Sequence, residues 1–137
     1  MGVVLDTSAI IKVERSAGKL SFSAWADYGD AYISVITCSE LLVGVHKANT
    51  AERSIKRAAF VEGLLASLPI FEFDLETARV HAKTLAALPK GVTIGAHDLL
   101  IGATAIRYGF PVLTTNVKDF LRIPGLEILE FSVSEDE

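Results

Sequence analysis

What this 137-residue chain has little of narrows its nature quickly. A single cysteine, Cys38, leaves no partner for an internal disulfide and too few thiolates for a cysteine-built zinc site. Cys38 falls inside a predicted helix and reads as a small core hydrophobe. No apolar run reaches the ~18 residues of a membrane helix without meeting a charge. The N-terminus also lacks a basic segment followed by a signal-type apolar block, so a cytoplasmic protein that does not engage membranes is expected. No repeat, low-complexity tract or Pro/Ser-rich linker divides the chain. One domain over residues 1–131 is expected, with an acidic, fraying tail over 132–137. Basic residues are outnumbered, 13 Lys and Arg against 17 Asp and Glu, for a net charge of −4. Nucleic acid is therefore not held by overall charge, which leaves room only for a local basic patch.

What is present is a core. Half the residues are hydrophobic and 22% are charged, as in a compact folded domain. Val3-Val-Leu5 is a short apolar run without helical spacing, suited to a strand buried on both faces of a parallel sheet. It stops at Asp6 and gives way to a helical pattern over Ala9–Arg15, a loop over Ser16–Ser21 and a short helix over Phe22–Tyr28. Ala31–Ser34 is a second strand, and Thr37–Ala48 and Ala51–Leu68 are helices. Ile70–Phe73 is a third strand, followed by a helix over Leu75–Leu88 that Asp74 can cap. A helix over Ala96–Tyr108, a strand over Pro111–Thr114, a helical turn over Val117–Leu121 and a strand over Glu127–Glu130 complete the chain. Alternating strands and helices with no Asn-Gly hairpin signal imply an α/β sandwich whose central sheet is mainly parallel.

In such a sheet helices return antiparallel to the strands, so their first turns lie near the carboxyl edge, where ligands bind. Asp6 is on that edge, Glu40 and Asp98 are expected in first helical turns, and Asn116 and Asp119 follow the fourth strand. Each also has a purely structural explanation. Asp6 can cap its helix, and Thr37-Cys-Ser-Glu40 matches a capping box with Glu40 bonding back to the Thr37 amide. Asp98 suits a helix dipole, Asn116 can cap the short helix, and Asp119 can be a surface acid. Taken together, caps would be scattered between both ends of the sheet, whereas these acids are sent to one end. Clustered carboxylates repel unless a cation joins them. Hard oxygen ligands suit Mg²⁺ or Mn²⁺, and the natural chemistry is metal-assisted phosphodiester hydrolysis.

Val3-Val-Leu-Asp-Thr-Ser-Ala9, Ser39-Glu-Leu-Leu-Val-Gly44, Gly95-Ala-His-Asp-Leu-Leu-Ile-Gly-Ala103 and Leu113-Thr-Thr-Asn-Val-Lys-Asp-Phe120 resemble, in order and spacing, the four blocks of a PIN domain of the VapC toxin type. The resemblance runs from Val3 to Phe131. It implies a PIN-like three-layer sandwich and a Mg²⁺-dependent (or Mn²⁺-dependent) endoribonuclease toxin. It also implies an RNA substrate, a cognate VapB-like antitoxin, a homodimer, and operator DNA bound only through the antitoxin complex. Asp6, Glu40 and Asp98 match the family's central acids as catalytic residues and metal ligands. At the fourth position Asn116 stands where many members have Asp, and Asp119 one turn later is the acid on offer. Thr7 and Thr114 are candidate hydroxyls for orienting the carboxylates, or turn and strand-end polar groups. Asn116 and Lys118 are candidates for contact with substrate.

Other residues carry weaker signals. The His97-Asp98 pair suggests a histidine metal hydrolase, yet His46 and His81 share no spacing with it. Arg53, Lys56 and Arg57 form a basic stripe that is either a solvated helix face or an RNA-backbone contact. Lys118 and Arg122 flank Asp119 and suit phosphate. Trp25 either stacks a base or packs its short helix on the core. A catalytically weak module acting through antitoxin and DNA binding is the alternative function. A receiver-like phosphoacceptor fits poorly, because only one acid follows the first strand.

Overall fold

The computed structural model describes residues 1–17 and 22–132. Most of the expected 16–21 loop and all but Ser132 of the acidic tail therefore lie outside the described residues.

Five strands form one parallel sheet: β1 Gly2–Leu5, β2 Asp30–Ser34, β3 Ile70–Phe71, β4 Val112–Thr114 and β5 Ile128–Glu130, in the order β3-β2-β1-β4-β5. Every pair is parallel, where the sequence led us to expect a mainly parallel sheet. The helices are α1 Thr7–Ala17, α2 Val35–His46, α3 Ala51–Ser67, α4 Leu75–Ala86, α5 Ala96–Tyr108 and α6 Val117–Phe120, with a 3-10 helix over Phe22–Tyr28.

β1 is buried throughout, as its unbroken apolar run requires. Its alternation divides the core. Val3 and Leu5 point into one layer with Ile10, Val13, Ile33, Leu41 and Leu64 from α1, β2, α2 and α3. Val4 points into the other with Leu99, Ile101, Val112 and Phe120. Helices thus cover both faces, α1 to α3 on one and α5 and α6 on the other, with α4 packed on α5.

Helix boundaries follow local chemistry. Thr50 caps α3 by accepting the Arg53 amide, and Asp74 caps α4 by accepting the Thr77 amide at 2.9 Å. Leu68, held extended before Pro69, ends α3. Gly109 takes the left-handed conformation (φ 79°) that closes α5.

One expectation needs correction, and for Trp25 the core-packing alternative holds. The cap of α2 is Ser34, whose Oγ accepts the Ile36 and Thr37 amides, and α2 starts directly from β2. There is no capping box: Glu40 lies in the second turn with its carboxylate engaged elsewhere, as described below. Trp25 is 1% exposed and packed in the core, which removes it from base stacking. Cys38 is a buried core residue, as expected.

Candidate active site

β1 is followed by β2 and β3 to one side and joined by β4 and β5 on the other, so the strand order reverses between β1 and β4. The crevice at the carboxyl ends of those two strands is where open α/β sheets place ligands. Asp6 leaves β1 there, and Thr114 ends β4 beside it.

Asp6 is 5% exposed. Burial raises its pKa above the usual aspartate range, while hydrogen bonds from Ser8, Thr114 and the amides of Thr7 and Ser8 pull the other way. Ser8 Oγ and Thr114 Oγ1 both donate to the same oxygen, Oδ2, at 2.7 and 2.8 Å. Each hydroxyl in turn accepts a backbone N–H from the turn after β4, Ser8 from Thr115 at 3.1 Å and Thr114 from Asn116 at 2.9 Å. With their single protons on Asp6, these hydroxyls tie β1, α1 and the β4–α6 turn together and fix the carboxylate's orientation. Thr114 is among the candidates the sequence offers, and Ser8 is a site residue that it does not single out. Its position two residues after a strand-end aspartate was the available signal.

Glu40 reaches the same edge from α2. Thr7 Oγ1 donates to its Oε1 at 2.7 Å, and His97 Nδ1 lies 3.3 Å from its Oε2. Both carboxylate oxygens are thereby oriented. His97 itself is exposed, and His46 and His81 lie elsewhere, His81 edge-on to Phe73.

Asp98 is in the first turn of α5, as expected. Its carboxyl is pushed up to about 6, first by burial and then by the negative charges of Asp6, Asp119 and Glu40; only His97 acts against the shift. So the chain folds to bring these acids within electrostatic reach of one another, with no lysine or arginine among the groups that set the charge of Asp98. Among the described residues, no three His, Cys, Asp or Glu side chains stand close enough to enclose an ion by themselves.

Asn116 occupies the cap position of α6 but makes no side-chain cap bond, contrary to that structural expectation. Its carbonyl accepts the Asp119 amide at 3.0 Å, which holds the turn carrying Asp119. Asp119 and Lys118 are exposed on α6, and Arg122 is exposed just beyond it.

The family model of the PIN domain matches residues 3–126. The chain belongs to the PIN-domain family. Its relatives are of the VapC type: ribonuclease VapC1 of Rickettsia felis is 47% identical over 133 residues, covering 96% of this chain and 98% of that protein. In structure it resembles the DNA-bound VapBC of Salmonella typhimurium, with a TM-score of 0.82 and 29% identity over 96% of this chain and 99% of that one. VapBC-5 of Mycobacterium tuberculosis, a member of the VapBC family of toxin–antitoxin systems, gives a TM-score of 0.73 at 28% identity, covering 96% and 98% of the two chains. No helix among the described residues is long and apolar enough to cross a membrane.

Proposed function

We propose that this protein is a Mg²⁺-dependent endoribonuclease toxin, held in check by a cognate antitoxin. One observation carries the reading: the fold brings Asp6, Glu40, Asp98 and Asp119 to one crevice, where burial and the other acids push the Asp98 carboxyl up to about 6. Carboxyls shifted by burial together with like charges in a crevice are characteristic of functional sites.

The donor set fits Mg²⁺ or Mn²⁺. It offers hard carboxylate oxygens from Asp6, Glu40, Asp98 and Asp119, and no lysine or arginine is among the groups that set the charge of Asp98. Loose spacing suits Mg²⁺, which keeps several waters and takes one or two carboxylates plus substrate phosphate oxygens. When bound, the ion supplies positive charge to the scissile phosphate and acidity to a neighbouring water.

The chain's own residues do the rest. Ser8 and Thr114 both donate to Oδ2 of Asp6 and fix the orientation of its carboxylate at the crevice. Thr7 and His97 fix Glu40 across from it. Asp98, in the first turn of α5 and within electrostatic reach of Asp6, Glu40 and Asp119, is placed to hold an attacking water and take up its proton. The water oxygen then bonds to phosphorus as the bond from phosphorus to the ribose oxygen breaks; the leaving oxygen takes a proton from solvent, and the RNA chain ends in a phosphate on one side and a hydroxyl on the other. Lys118 and Arg122, exposed beside Asp119, suit the flanking phosphates.

The relatives' names support the activity: VapC1 of Rickettsia felis is a ribonuclease. The VapBC complexes support an antitoxin partner, and the Salmonella typhimurium complex is DNA-bound; we include in the proposal that operator DNA is reached through the antitoxin. We include a homodimer in the proposal, which sedimentation of the isolated protein tests. Purified protein is expected to cut cellular RNA into discrete fragments with Mg²⁺, and not with EDTA or as Asp98→Asn. Absence of cleavage by folded, antitoxin-free protein would favour the second reading, a binding module without catalysis. The uncharged Asn116, where many PIN domains have Asp, is the feature on its side.

A further inference from the structure

The chain carries a net charge of −4, yet four of its cations line one groove. Lys47 at the end of α2 and Arg53, Lys56 and Arg57 on α3 surround a space of about 670 Å³, with Glu14 of α1 and Phe60 at its walls. Arg57 is engaged by Glu14 at 3.3 Å, and Arg53 Nη1 donates to Asn49 Oδ1 at 2.8 Å. Lys56 is 77% exposed and only loosely held, 3.8 Å from an equally exposed Glu52.

The groove's place follows from two helices. α1 and α2 both start at the crevice, where Thr7 and Glu40 are bonded at 2.7 Å. About two turns on, roughly 10 Å along each helix, they deliver Glu14 and Lys47 to the groove. A single strand leaving the crevice would reach it in about three nucleotides, even at the ~3.4 Å rise of a duplex strand. The lining decides the kind of partner. Protein interfaces put apolar and aromatic side chains at their centre and deplete lysine there, whereas nucleic-acid surfaces are polar and positive. Here the walls are charged and Phe60, 9% exposed, offers little apolar area.

We propose that the groove formed by Lys47, Arg53, Lys56 and Arg57 binds the phosphate backbone of an RNA strand on its way from the crevice. This rests on the ribonuclease reading. The groove adds length-dependent affinity without reading bases, so it acts alike on all sequences.

The test is anisotropy of a fluorescein-labelled single-stranded RNA of about twenty nucleotides, in EDTA so that nothing is cut, across a salt series. Each phosphate contact contributes a salt slope of about 0.7 for single strands, so Lys47→Gln/Arg53→Gln/Lys56→Gln is expected to flatten the slope by about 2. Binding near 0.1 M salt should weaken at least about tenfold. Arg57 is left intact because it anchors α3 to α1, and circular dichroism checks the fold. Equal slopes and affinities overturn the proposal, as does a wild type that binds no RNA. Loss of polyglutamate-peptide binding with RNA binding intact would assign the groove to a protein segment and overturn it too. A short RNA of about four nucleotides, ending before the groove, isolates the other question: its cleavage with Mg²⁺ by wild type and variant alike upholds the ribonuclease reading whatever the groove does.

Discussion

Asp98 concentrates the energetics of the site in one carboxyl. In the unfolded chain an aspartate titrates near ~3.9; in the folded protein this one does so at about 6. Between those values the folded state binds more protons than the unfolded one, so its stability falls as pH rises through the window and levels off above it. At ~1.4 kcal/mol per unit the full loss would approach ~3 kcal/mol, but Asp98 is only partly buried, and solvent screening brings it to about 1 kcal/mol. Asp6 moves in the same direction through its burial. Urea midpoints of wild type and Asp98→Asn, both in EDTA, isolate the effect. Their difference should widen in the variant's favour from about pH 4 to about pH 7. A constant difference across that range would mean that the acids do not oppose one another. With the expected widening, the variant is the more stable protein at pH 7 and an inactive one, the usual trade between stability and a strained site.

At the scale of elements, α2 shows what the sequence could and could not convey. Ser34 and Thr37 are both competent caps, and Thr37-x-x-Glu40 has the spacing of a capping box. Pattern alone leaves Ser34 to the strand. What decides is that β2 runs into α2 without a loop, so Ser34 ends one and caps the other. That shift of boundary frees Glu40 from cap duty and aims it at Thr7 and His97. Ser34→Ala should cost about 1 to 2 kcal/mol in urea unfolding, because Ser34 is fully buried and accepts two amides. A loss under about 0.3 kcal/mol would show that the amides find other partners. Asp74, by contrast, was legible: an acid directly before an amphipathic run, and it caps α4 as expected. Ser8 was not, because its role depends on Thr114 and Thr115, more than a hundred residues away, and only the pairing of β1 with β4 brings them together.

Across the whole molecule, the alternation of strands and helices was readable from hydrophobic pattern, but the order β3-β2-β1-β4-β5 was not, since no local signal says on which side of β1 the fourth strand adds. That choice sets the switch point between β1 and β4, and with it the meeting of Asp6, Glu40, Asp98 and Asp119. Electrostatic repulsion there weakens the fold as a whole, and a divalent cation at the crevice should restore it. A ligand that binds only the folded state stabilises it by about 2.7 kcal/mol at a hundredfold excess over Kd. For a domain near this size that corresponds to a rise of several degrees in Tm. We therefore expect Mg²⁺ or Mn²⁺ to raise the melting temperature of wild type, and Asp98→Asn to start higher and gain less. The reason is that the amide has already removed one of the charges the cation would offset. Potassium chloride at matched ionic strength is the control, since screening alone also relieves more repulsion in wild type than in the variant, and the gain in Tm beyond that control carries the argument. Equal gains would detach the cation from the acids and leave the proposed metal chemistry without a site.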